Sequence, residues 1–229
     1  GLRAQQAVLA DGAAVADRPA DFAQLSVAMR GLSGLERLLY PSPLTGAEAD
    51  VCRLTRATAA DLARIAAEIA ADWPAQAALL TAPGGTNTTY LTETEARQAL
   101  FTQLVTGLTT LETTRLGRPL GSFDKPRPER AEAAAAGRSL RNVAQSLSGM
   151  RDLALALHSP APQTQAAFDR ALALAEGLDD PVFAGVADPQ GRLKVEILQQ
   201  AVAAARAAVE AEIGPALGVS AGFNAQDGD

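Results

Sequence analysis

The side chains able to do chemistry are few. The 229 residues contain one histidine, His158, and one cysteine, Cys52. Zinc hydrolases usually recruit several imidazoles, so this chain alone does not assemble an ordinary zinc centre. A lone cysteine excludes an internal disulfide and a thiolate cage, and it leaves the redox compartment open. No neighbouring pattern activates Cys52, which is expected to be a small buried hydrophobe. His158 stands before Ser159-Pro160 at a helix end, where a protonated imidazole complements the negative end of the helix dipole. Gly84-Gly85 and Gly214 read as turns, because no Gly-x-Gly-x-x-Gly or Gly-Lys-Ser string accompanies them. With 20 basic against 26 acidic residues, a net charge of −6 and no Lys/Arg cluster, the chain lacks the cationic footprint that nucleic-acid binding requires.

Polar residues of this kind need rigid elements to hold them, and the composition favours helices. Hydrophobic residues make up 48% but aromatics only 4%. They are mostly Ala and Leu, which suit helices and not the β-branched, aromatic-rich strands of a sandwich or barrel. Val27, Leu32, Leu35, Leu38 and Leu39 mark one helix, stopped by Tyr40-Pro41-Ser42-Pro43. A second is expected over about 49–73, with Leu54, Leu62, Ile65 and Ile69 in phase and Pro74 near its end. After the loop at 82–89, Thr92-Glu93-Thr94-Glu95 reads as a capping box, followed by Leu100, Leu104, Leu108 and Leu111 in one stripe down to Leu116-Gly117. Three more helices follow: one carrying Leu140, Val143, Leu147, Met150 and Leu157, one over 163–177, and one over 191–213 with Leu193, Ile197, Val202, Val209 and Ile213.

The fold class is therefore all-α, and short connections favour up-and-down bundles. The Pro- and Gly-rich passage Arg118 to Pro128 is the most linker-like, which sets two domains at 1–122 and 123–229. The first stretch, Leu2 to Val15, is Ala-rich, lacks a partner pattern and is expected to be the remainder of something longer. The tail from Gly222 is polar, with Phe223 as its one apolar anchor. No apolar run is long enough for a membrane span. The N-terminus, Gly1-Leu2-Arg3-Ala4-Gln5-Gln6, has no signal-peptide core, which fits a cytosolic chain or one whose targeting segment is gone.

Three local strings carry a resemblance. Residues 30–41, Arg-Gly-Leu-Ser-Gly-Leu-Glu-Arg-Leu-Leu-Tyr-Pro, resemble the signature segment of the imelysin family, in which Gly-x-His-x-x-Glu precedes Leu-Leu and an aromatic. Arg115-Leu116-Gly117-Arg118-Pro119-Leu120-Gly121 is similar to that family's inter-bundle turn. Ala131-Glu132 through Gly137-Arg138-Ser139-Leu140-Arg141-Asn142 is similar to its next helix. The order and spacing also match. The resemblance implies two helical bundles, the first incomplete here because the family has a sizeable segment before its signature. It also implies an exported bacterial protein, periplasmic or lipid-anchored.

Carried over residue by residue, Gly31 matches the signature glycine and Glu36 its glutamate, while Ser33 stands where the histidine would be. A hydroxyl is a weak neutral ligand with no accessible pKa, so Ser33 and Glu36 do not do what His and Glu do together. Lying at i and i+3, they are able to share one ligand or one water. The expected ligand-binding set is Gly31, Ser33, Glu36, Arg37, Arg138 and Ser139, with Glu36 as metal ligand, at the join of the bundles. The plainer reading makes Glu36 an ordinary carboxylate paired with Arg37 or Arg138, Ser33 a small residue that lets helices approach, and Arg138, Ser139, Arg141 and Asn142 a solvated face. Glu112 and Arg115 line the same join or simply pair along their helix.

Three functions compete. The first is a non-catalytic exported protein that serves iron uptake or binds a metal or small ligand through hard oxygen donors, with iron as the expected metal. The second is a metallopeptidase, after the family's label, against which the missing histidine argues. The third is a structural or interaction module with a partner in the cell envelope.

Overall fold

A computed structural model describes residues 1–220; the tail with Phe223 lies outside the described residues. The protein is 73% helical with no sheet among the described residues, so it is all-α. No helix among them is long and apolar enough to cross a membrane. The chain divides into two compact units, Gly1–Ala77 and from Ala78 onward.

The first unit starts with α1 (Leu2–Ala10), a 3-10 turn at Ala14–Asp17, α2 (Pro19–Phe22), α3 (Val27–Arg30) and α4 (Leu32–Leu39). The helix expected over 27–39 is thus interrupted. Gly31, with φ −75 and ψ −178, leaves the helical region and breaks it, in an extended conformation open to any residue. The extended Tyr40 ends α4 ahead of Pro41. Next comes α5 (Glu48–Thr81), which runs on through Pro74. That proline removes one backbone donor at a cost of about 3 kcal/mol, and the surrounding run of alanines sustains the helix. The core of this unit is small: Leu9, Ala13, Phe22, Met29 and Leu54. Cys52 is exposed and not buried, because two residues of helix carry it about 200° around α5 from Leu54.

The second unit contains α6 (Glu93–Thr110), a π-helical turn at Leu111–Leu116, α7 (Gly117–Leu120), α8 (Ser139–Leu157), α9 (Pro162–Glu176), α10 (Pro189–Ala208), a second π turn at Val209–Ile213 and α11 (Gly214–Leu217). Thr92 caps α6 as expected, with the return bond from Glu95 reaching the residue before the cap. Thr92 Oγ1 accepts from the Glu95 N–H (3.2 Å), and Glu95 in return accepts from the Leu91 N–H (2.6 Å). His158 is the C-cap of α8. The core is large, with Phe101, Leu104, Leu108, Leu147, Phe168 and Leu198 fully enclosed. On α10 the buried face is Val195, Leu198, Val202 and Ala205, continued by Val209 in the π turn, while Leu193 and Ile197, expected on it, are 55% and 37% exposed.

The passage 118–128, where a boundary at 122/123 is expected, is packed inside the second unit. Leu116 and Leu120 belong to its core. Arg192 Nη1 donates to the Leu120 carbonyl (2.6 Å), and the Arg127 N–H donates to that of Pro119 (2.8 Å). The Pro and Gly content makes a turn there, with Gly121 at φ +55, a conformation that excludes most other residues.

Candidate functional site

In the first unit the site begins with α4, which carries Ser33, Glu36 and Arg37 and has Gly31 as its N-cap. What positions this helix is a polar lock. Gln5, fully buried on α1, donates from Nε2 to the carbonyls of Met29 (3.1 Å) and Gly34 (2.9 Å). Its Oε1 accepts from Arg37 Nε (2.8 Å), and Arg37 Nη2 donates to the Ala28 carbonyl (2.9 Å). The Arg37 guanidinium therefore ties α4 to α1 and α3. Gly34 completes the lock: a Cβ there would collide with the Met29 carbonyl. Ser33 is exposed, so the close approach is made by Gly34 and not, as the plainer reading had it, by Ser33. Glu36 is half-buried on the same helix.

Arg30, immediately before the signature glycine, is the second anchor. It donates from Nε to the Leu25 carbonyl (2.8 Å) and from Nη1 to Asp61 Oδ2 (2.5 Å). Asp61 Oδ1 accepts from Arg64 Nη2 (2.7 Å). Burial pushes the Asp61 carboxyl up, but hydrogen bonds and charge from Arg64 and Arg30 outweigh it and hold the group below the usual carboxylate range.

In the second unit Arg138 is the exposed N-cap of α8 and Ser139 its first, buried residue. The Leu140 N–H donates to the Pro181 carbonyl (3.0 Å). Ser139 Oγ is enclosed without a hydrogen-bond partner. Nearby chemistry gathers at the two π turns. Arg206 donates from Nε to Glu112 (3.2 Å) on the first and from Nη1 to Glu210 (3.2 Å) on the second. Burial lowers the Arg206 pKa, and the two carboxylates more than restore it. Glu112 thus pairs across helices, whereas Arg115 pairs with Glu132 (2.6 Å) and donates to Ser146 (2.5 Å). The wider π turn takes Glu112 and Arg115 out of the i, i+3 relation that an α-helix would give them.

A family model for imelysin, whose description carries a peptidase label, matches residues 3–209, nearly the whole chain. The chain belongs to the imelysin family. No curated protein and no solved structure matches it. In this imelysin the signature helix presents a hydroxyl and one carboxylate. Among the described residues, no three His, Cys, Asp or Glu side chains are grouped to hold a metal ion. Gln5, Arg30 and Asp61, which position α4 in the first unit, were not expected, and neither was Arg206 in the second. Asp61 alone had a signal: it stands seven residues after Leu54, on the face that turns to the core.

Proposed function

We propose that this imelysin is a non-catalytic, exported protein of the cell envelope, periplasmic or lipid-anchored, that binds a small polar ligand through α4 in the service of iron uptake. The observation that carries this reading is the pairing of Ser33 with Glu36 on one helix, where the resemblance places an imidazole. A hydroxyl and a carboxylate are hard oxygen donors, which suit an oxygen-preferring cation or its chelate better than zinc. With no three-ligand group among the described residues to strip a hydrated ion, iron carried as a chelate fits these donors better than the bare ion. Peptidase chemistry has no imidazole here to act as ligand or base.

Calorimetric titration of the full-length protein with ferric citrate, ferric and ferrous iron tests it. Saturable heat that is lost in Glu36→Ala supports the reading; no saturable heat with any of the three overturns it. Chelator-sensitive cleavage of an unfolded substrate, lost in Glu36→Gln, would instead establish the peptidase. The interaction-module reading is favoured by the apolar surface of α5, where Ile69 and Trp73 are 62% and 59% exposed. A stoichiometric partner captured from envelope extracts, released by Trp73→Ala, would support it.

A further inference from the structure

A cavity of about 130 Å³ opens between the start of the first unit and α5. Its walls are carbon: Ala16, Pro19 and Phe22 on one side, Ala57 and Ala60 on the other. Its polar end is made by Asp61 and Arg64. We infer that this cavity is a binding site for a small monocarboxylate with a short branched or aromatic body.

The charge count at the polar end selects the ligand. Asp61 has one guanidinium on each oxygen, Arg30 on Oδ2 and Arg64 on Oδ1. Two cations thus face one anion. The balance comes from Glu68, which takes Arg64 Nη1 at 2.6 Å but is 59% exposed. An exposed i, i+4 pair of this kind contributes little, because water competes for both partners. Asp61 and Arg30 are fixed, with side chains 4% and 10% exposed. The Arg64 side chain is 45% exposed, so its outer nitrogen exchanges partners readily. A ligand carboxylate replaces Glu68 there, and the apolar body enters the alanine-lined cavity. A volume of about 130 Å³ is that of a small apolar cavity able to take a compact hydrocarbon group, and the branched four-carbon body of a five-carbon acid fits it. An ammonium ligand would add a third cation beside Asp61. A neutral amide of the same shape forgoes the charge-assisted bond, which is roughly twice as strong as a neutral one.

The test uses isovalerate as probe, followed by amide chemical shifts of the full chain. Saturable shifts at residues 57–64 at about millimolar concentration, with isovaleramide binding at least about tenfold more weakly, are the expected result. Ala60→Leu, which fills the cavity and leaves the ion pairs intact, abolishes binding. Arg64→Lys, which keeps the charge but loses the fork, weakens it about tenfold. Absence of saturable shifts, equal binding of the amide, or undiminished binding by Ala60→Leu would each overturn the assignment. Glu36→Ala leaves this binding unchanged, which separates it from the function proposed for α4.

Discussion

The two units are held together by different means. The second encloses several large apolar side chains, with Phe101, Leu147 and Phe168 fully buried, and its polar groups sit around that core. The first buries five hydrophobic residues and relies on side chains that seize backbone carbonyls: Gln5 on Met29 and Gly34, Arg30 on Leu25, Arg37 on Ala28. Apolar burial is non-directional and tolerates repacking. A buried polar lock is directional, and losing one member leaves the others unsatisfied. The candidate signature helix lies in the unit built the second way, where position is fixed by a few atoms.

The contrast is breakable at named residues. Asp61→Ala leaves the buried Arg30 without its anion. A loss of about 3–5 kcal/mol is expected, enough to abolish amide-exchange protection across α1 to α4 while the second unit keeps its own. Phe168→Ala costs the second unit a comparable 3–5 kcal/mol, yet that unit stays folded; hydrogen exchange read by mass spectrometry on α8 and α9 should show faster opening without global loss. Gln5→Ala removes a donor pair and an acceptor together, for about 1–3 kcal/mol. Gly34→Ala should unsettle the same lock, whereas Gly31→Ala, whose Cβ meets only the Val27 carbonyl at 3.5 Å, should change the melting temperature little.

Acid supplies the mildest test. The folded-state pKa of Asp61 lies below its unfolded value, so its contribution is present above about pH 4 and disappears as pH falls through the folded pKa. Circular dichroism between pH 5 and 2 should show the first unit weakening, with Asp61→Asn less stable at neutral pH and flatter across that range. Equal acid sensitivity of the variant and the parent would remove Asp61 from the account.

Periodicity revealed the helices, because Leu and Ala stripes and Pro breaks are local signals. It misjudged the interruption at Gly31, where the chain breaks within a continuous apolar stripe, and the continuation through Pro74, where one residue's preference was outweighed by its neighbours. The linker reading of 118–128 misled for a related reason, since proline and glycine mark a turn whether that turn lies between domains or inside one. The signature residues were legible through their pattern. Their supports were not, because Gln5 and Asp61 act across 29 and 31 residues of chain, and nothing local in a glutamine announces which carbonyls it will reach.

The first π turn has a consequence for how this chain changes length. Leu111 and Leu116 are both buried although five positions separate them, a gap that an α-helix does not place on one face. The turn therefore holds a spare residue. Deleting one residue from an ordinary stretch of α8 would swing everything beyond it by about 100°. Deleting Thr113 instead converts the wide turn to an α turn and leaves both leucines facing inward, making 112–115 the place in the long helices where the length of the chain is most freely adjusted.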